Sequence, residues 1–475
     1  MNIELMLIFA LLFLSSSLFL IFKLRIALIT STIIILIALI INTSLLYNSF
    51  IKGIPILQLN VFLMSEIILI VGLTSNIYSY HYFNFSDSIS GKIFFALIPP
   101  LLATLIGLSA FNNIIIMLFF LEASTFLSAI LVLYGERRDK AVFSTFIYLV
   151  ISVVESIFII SGLYLLTREH GLNLALADIY ALKEYNINLS DLELASYLIL
   201  LGFGIKAGVS PIALLWLPLV HSEAPSPISA ILSGVIIESA YIPMLKYSHV
   251  LKSQISASVG SFIVFSGLVN VLIGSVGMIV DRDLKRVLAF SSISSMGGIG
   301  MALGLGLLSS MYESYIFLLG SILYLFAHSF AKALLFMCAG VIIRTFHERN
   351  WFKLHQMVKS LPITSVMWII GTISISGLFP FTSGYYGKHL IIESINTLKL
   401  NVLGIPKYIY SLSLYFASIT ILCILMAPIL LSFKGSGKFK EQFNSMFTML
   451  IVLTITSVIL GVLYSTFHYP LHYSI

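Results

Sequence analysis

The chain has 475 residues, of which 59% are hydrophobic and only 10% charged, with a mean hydropathy of +1.05. That composition excludes a soluble globule of this size and marks an integral membrane protein. The formal net charge of +6 then belongs to loops flanking a membrane and implies no nucleic-acid partner.

The apolar runs are continuous Leu, Ile, Phe and Val without the alternation of a barrel strand, so they read as helices that satisfy their own backbone groups. The predicted fold is an all-α polytopic membrane protein of about fourteen spans. In chain order these begin near Leu5, Ile26, Leu57, Ile93, Asn113, Ala141, Ala195, Pro225, Ile255, Leu284, Tyr315, Pro362, Tyr408 and Met446. The first run lacks a basic region before it and a small-residue cleavage site after it, and is read as a retained span.

Loops on alternate sides should alternate in Lys and Arg. Sixteen of the 26 basic residues fall on one side, and seven fall on the other: Lys52, Arg168, Lys183, Lys246, Lys252, Lys399 and Lys407. Lys206, Lys332 and Lys388 lie inside spans. The asymmetry predicts a multi-pass protein of the cell (cytoplasmic) membrane with both termini on the outer side.

Only residues 167–193 form an extramembrane segment of any size, too short for a catalytic domain. There is no GxGxxG, Walker loop, HExxH or Ser/His/Asp constellation in a polar setting. Cys338 and Cys423 show no metal-ligand spacing, so no metal site is predicted. The chain is therefore expected to be no enzyme on its own and to hold no cofactor.

Function must then lie in the ionisable residues inside spans: Glu66, Glu122, Glu155, Lys206, Glu238, Lys332 and Lys388. Each costs roughly 2.5 to 3.5 kcal/mol near the centre of a span, so the set must pair, face water, or both. Glu122 and Lys206 have opposite sign on separate helices and, if they meet, form a pair whose members set each other's protonation. A static ion pair fixing helix packing is the alternative. Pro211 should break the helix just beyond Lys206, exposing carbonyls at bilayer depth. His328 and Lys332 are four apart and share a helix face, a relay if they face the interior and a packing feature if they do not. Lys388 follows "SISGLFPFTSGYYGK", where Gly377, Pro380 and Gly384 read as a second broken helix. Lysine beside a proline break thus occurs twice, the sequence pointer to inverted-repeat transporters.

The stretches "FGIKAGVSPIALLWLPLVHSEAPSPISAILSG", "DRDLKRVLAFSSISSMGGIG" and "FAHSFAKALLFMCAG" resemble three signature stretches of the antiporter-like subunits. That family is shared by respiratory complex I (NADH-quinone oxidoreductase subunits L, M and N), energy-converting membrane-bound hydrogenases, related sulfur-reducing complexes and Mrp-type cation/proton antiporters. The resemblance runs over roughly residues 113–393, and the "WLPLVHSEAPSP" wording is most similar to the hydrogenase-like and archaeal-type branch. It implies two inverted five-helix repeats, spans four to eight and nine to thirteen, with spans seven and twelve broken. The chain then divides into residues 1–110 (N-terminal spans, the fourth opening the first repeat), 111–250 (the rest of that repeat), 251–432 (the second repeat) and 433–475 (the last span).

Residue by residue, the resemblance implies that Glu122 is the family's glutamate on span five and Lys206 its partner lysine. Lys285 matches the basic residue opening span ten, His328 and Lys332 the span-eleven group, and Lys388 the terminal ionisable residue of span twelve. His221 and Glu223 follow the motif at the mouth of span eight, where capping or loop ordering is an equal reading. The sequence departs from the pattern in three places. Glu238 stands where the family usually has a base, which implies a pairing with Lys206 or Lys332 or the selection of a cation. Glu155 is an added acid on span six, and "GLFPF", containing Pro380, replaces the usual GLPPF-type turn.

The function implied is a proton- or sodium-translocating membrane subunit of a redox-driven complex, moving ions along a central hydrated chain of buried Glu, Lys and His. Its partners would be other membrane subunits and soluble redox subunits, the latter carrying iron-sulfur clusters. A subunit of an Mrp-type antiporter and a non-conducting structural subunit are the two alternatives.

Overall fold

The computed structural model describes residues 3–52, 56–83, 88–168, 177–183, 188–255, 257–398, 402–432, 441 and 444–472. Of the residues named above, Lys399 lies outside these, as does the side chain of Lys183. The described residues are helical, with isolated bridges and no strand. Among the described residues, twelve helical segments are long and apolar enough to cross a membrane, and two shorter apolar helices, Leu7–Phe19 and Pro362–Ser376, accompany them.

The first six helices are α1 (Ile3–Ile21), α2 (Leu24–Ile51), α3 (Ile56–Phe83), α4 (Ile89–Ala110), α5 (Ile114–Val132) and α6 (Arg138–Thr167). After them the chain stops being regular. Helix α7 (Leu189–Lys206) ends on Lys206, Gly208 turns left-handed at φ +75°, and a 3-10 turn (Pro211–Leu215) leads into α8 (Leu217–Glu223). The break therefore falls at Gly208, whose lack of a Cβ permits that backbone. Pro211 does not terminate the helix; it opens the 3-10 turn at a position where a missing N–H costs nothing.

Next come α9 (Ser226–Ile231), a π-helical turn (Leu232–Ile236), α10 (Ile237–Val250), α11 (Ala257–Val280), α12 (Leu284–Leu308) and the 36-residue α13 (Met311–Phe346). A short α14 (Met357–Ser360) precedes the second broken element, α15 (Pro362–Ser376) and α16 (Ser383–Thr397), with positive φ at Gly377 and Phe381 between them. Pro380 lies in that linker. Helices α17 (Lys407–Leu431) and α18 (Ser445–His472) complete the described chain. The largest shift in a helix start is at α7, which begins at Leu189 where the sequence placed it at Ala195. Asn188 caps that helix, and Asp191 in its first turn pairs with Arg168, so polar residues belong to it.

The centre of the bundle is α9–α10 with its π turn and α12, in which nearly every residue is buried, together with the part of α13 from Gly320 to Ile343. These segments are rich in Ser and Gly, because close helix contact inside a membrane rests on small side chains. Helices α11 and α12 show this most clearly. A Cβ on Gly267 would sit 2.5 Å from the Gly297 carbonyl oxygen, and one on Gly304 would sit 2.7 Å from that of Gly260.

Loops assigned by charge to one side meet one another. Arg137, between α5 and α6, bonds Glu223, and Arg349, after α13, pairs with Asp283 before α12. On the opposite side, Lys246 bonds the Ser109 and Phe111 carbonyls that end α4, and Lys252 bonds the Gly306 and Ser309 carbonyls that end α12. A backbone bridge between Asn113, the cap of α5, and Asp178 has a counterpart in the bridge between Asp283, the cap of α12, and Asn350.

Candidate functional site

Lys206 is 1% exposed and lies where α7 stops. A basic residue in the last turn of a helix is favoured by the negative end of the helix dipole, where the last carbonyls have no partner within the helix. Its Nζ donates to Glu155 Oε1 of α6 at 3.1 Å and to the Thr125 hydroxyl of α5, and it stands 4.3 Å from the centre of the Tyr148 ring. Trp216 lies on the ammonium's flank at 5.7 Å and donates its indole N–H to the Ile205 carbonyl, which ties the unwound segment back to α7.

The direct carboxylate partner of Lys206 is thus Glu155, which is also 1% exposed, rather than Glu122. Glu122 is half-buried and accepts from the hydroxyls of Ser152 and Ser156, one turn apart on α6 and flanking Glu155. It acts electrostatically on both members of the pair. The three residues form one cluster of two acids and a base, in which Glu155 contacts Lys206 directly and Glu122 is bonded to the serines on either side of Glu155 along α6.

A second cluster is built on the π turn. Glu238, in the first turn after it, places Oε1 2.6 Å from His328 Nδ1 of α13, and both side chains are fully buried. The partner of Glu238 is therefore His328, where the sequence argument offered Lys206 or Lys332. π-helical turns recur at functional positions because they re-aim a side chain without ending the helix. Glu238 Oε2 and His328 Nε2 have no protein partner, and unpartnered polar atoms in a core are where ordered water resides. His328 and Lys332 share a helix but not a partner: Lys332 Nζ donates to the Leu288 carbonyl at 2.6 Å and to the Ser291 hydroxyl of α12.

Lys388 lies in α16, the second half of the later broken element. Its ammonium donates to the Ser376 carbonyl at the end of α15 (3.0 Å) and to Ser418 of α17 (2.9 Å), and stands 4.7 Å from the Tyr324 ring centre. Both break lysines are thus bound to the C-terminal end of a half-helix, Lys206 as its last residue and Lys388 through its last carbonyl. The Tyr324 hydroxyl is within hydrogen-bond distance of the Ser295 hydroxyl of α12 (3.0 Å) and of the Ile375 carbonyl (3.1 Å).

Lys285 donates to the Ala224 carbonyl at 2.7 Å, between α8 and α9. His221 is fully buried and stacks on Phe336 at 5.2 Å, with neither ring nitrogen bonded to protein. It is one residue from Ser222, whose carbonyl accepts from Arg349, and two from Glu223, which Arg137 and Arg349 hold by charge. Glu223 is thus a loop-ordering residue. Glu66, on α3, stands apart from these groups, its carboxylate accepting from Asn42 Nδ2 and Thr43 Oγ1, each at 2.7 Å.

Sequence reasoning missed three contributors. Tyr148 and Tyr324, which face the two break lysines, are indistinguishable in sequence from other aromatic residues of apolar spans. Lys246, read as a loop residue, is buried at the end of α10 and caps α4. Among the described residues, no three His, Cys, Asp or Glu side chains are grouped to hold a metal ion.

Residues 111–411 match the family described as "NADH:quinone oxidoreductase/Mrp antiporter, TM". The chain is 28% identical over 304 residues to hydrogenase-4 component B of Escherichia coli (strain K12), covering 62% of this chain and 44% of that protein. It is 27% identical over 343 residues to NADH-quinone oxidoreductase subunit L of Neisseria meningitidis serogroup A, covering 70% of this chain and 49% of that protein. In three dimensions it is similar to a chain in the structure of the membrane-bound sulfane sulfur reductase, an archaeal respiratory membrane complex. The TM-score is 0.84 at 19% identity, over 98% of this chain and 95% of that one. That likeness establishes the fold, while the aligned stretch spans about half or less of these two curated relatives.

Proposed function

Since the chain belongs to the NADH:quinone oxidoreductase/Mrp antiporter transmembrane family, we propose that it is the ion-translocating membrane subunit of a redox-driven complex. The observation that carries this reading is the buried Glu155–Lys206 pair at the end of a broken helix, set in one bundle with the Glu238–His328 pair and the ammonium groups of Lys332 and Lys388. Buried charges of this number are too costly to serve packing alone, and replacing such pairs by apolar residues is often stabilising.

In the proposed cycle, a movement that withdraws Glu155 from Lys206 leaves a buried ammonium without the charge that offset its desolvation. Its proton then passes to the next acceptor, and the hydroxyls of Thr125, Ser291 and Ser295, together with water at the unpartnered atoms of His221, His328 and Glu238, supply the intervening steps. Lys388, on α16 and bonded to α17, is the exit group, and Lys285, at the start of α12 and bonded to the loop between α8 and α9, serves the other end. The ion is a proton in this reading; sodium carriage would require oxygen ligands beyond the Glu238 carboxylate.

The redox chemistry belongs to soluble partner subunits carrying iron-sulfur clusters, and neighbouring membrane subunits complete the assembly. The protein sits in the cytoplasmic membrane with its basic-rich loops inside and both termini outside. That orientation is supported by the minority side, where Lys246, Lys252 and Lys407 are occupied as helix caps and Arg168 is paired with Asp191. Purification in mild detergent with native partners tests the assignment. Iron-sulfur absorbance with co-purifying soluble redox chains is expected, whereas a colourless assembly of membrane subunits alone would make the chain part of a cation/proton antiporter.

A further inference from the structure

The loops on the basic-rich side enclose a cavity of about 310 Å³ between α6, α8 and the start of α12. Its walls carry three cationic side chains, Arg137, Lys140 and Arg286, against two carboxylates, Glu223 and Asp283. Both carboxylates are committed, Glu223 to Arg137 and Asp283 to Arg349 and the capping of α12. Arg286 is ion-paired with Asp281 at 3.1 Å yet remains 42% exposed, and Lys140, which is exposed, has no ion pair among the described residues. The remaining field in the cavity is positive.

The floor is apolar. Phe143 and Leu219 line it, and Phe143 begins an exposed stripe on α6 that continues through Phe146, Val150, Val153, Ile157 and Ile160. Steps of three and four residues keep these side chains on one helix face, so an apolar track about one span long leads away from a cationic cavity at its end. A free anion would use only the cavity, and an apolar helix only the track.

We propose that this cavity and track bind one anionic phospholipid, the headgroup phosphate between Lys140 and Arg286 and an acyl chain along α6. Basic pockets between transmembrane helices on the cytoplasmic side suit such headgroups. The lipid would lie against the α8 segment whose next residue, Ala224, holds Lys285.

The test uses the purified assembly in nanodiscs of phosphatidylcholine doped with a phosphatidylglycerol that carries a photoreactive acyl chain. Adducts are expected on α6 between Phe143 and Ile160, competed by unlabelled phosphatidylglycerol and not by added phosphatidylcholine. Lys140→Ala and Arg286→Gln should each lower labelling about fivefold, the factor expected for one basic side chain at an anionic headgroup, while Lys140→Arg retains it. Lys140 is exposed and outside the core, and unchanged thermal unfolding of its variants separates lost binding from lost folding. Equal competition by phosphatidylcholine, unchanged labelling in both charge-removing variants, or loss of labelling with inorganic phosphate alone would each overturn the proposal, the last by making the cavity a free-anion site.

Discussion

Lys206 is held by three kinds of interaction at once: a carboxylate, a hydroxyl and an aromatic face. Removing the carboxylate leaves a desolvated ammonium with neutral partners, which in buried pairs costs roughly 3 to 5 kcal/mol. Glu155→Ala should therefore lower the thermal midpoint in detergent clearly, whereas Glu122→Ala, whose carboxylate is half-buried and bonded only to serine hydroxyls, should lower it much less. A midpoint lowered more by Glu122→Ala than by Glu155→Ala would mean that Glu122 is the partner that matters. The Glu238–His328 contact allows a cleaner comparison through a double-mutant cycle with Glu238→Gln and His328→Ala. A coupling of about 0.5 to 3 kcal/mol is expected for groups in direct contact, and additive effects would show that the 2.6 Å approach carries no energy.

At the scale of elements, the broken helices rest on two left-handed glycines, Gly208 and Gly377. An added Cβ at Gly208 meets only ordinary contacts near 3.4 Å, so Gly208→Ala should cost about 1 to 2 kcal/mol from the backbone alone. Gly267→Ala drives a Cβ into the α12 backbone and should be the more damaging, with loss of the monodisperse peak on size-exclusion chromatography; the opposite ranking would contradict this packing. Helix existence and order were legible in the sequence because apolar runs of about twenty residues have no other fate in a bilayer. The breaks near Lys206 and Lys388 were legible from Gly and Pro, although at the first the glycine and not Pro211 sets the turn. The choice of Glu155 as the lysine's partner was not, since it depends on the rotational setting of α6 against α7, which two nearly uniform apolar helices do not encode locally. The π turn before Glu238 was equally hidden, because "LSGVI" satisfies an α-helix as well as a π-helix.

For the whole molecule, the contacts among loops of like side define two faces, and the difference in their basic residues is the ground for the proposed orientation. Single cysteines introduced at Lys140 and Lys252 should react with a membrane-impermeant maleimide from opposite sides of sealed vesicles; reaction from the same side would refute the alternating topology. The central claim is that ions move through the buried Glu and Lys groups of this chain, and it is tested most directly by Lys206→Ala in the purified complex, reconstituted into proteoliposomes and driven by its own redox reaction. The account predicts that electron transfer assembles and turns over while the ion gradient attributable to this subunit is lost. An undiminished gradient in that variant would contradict it.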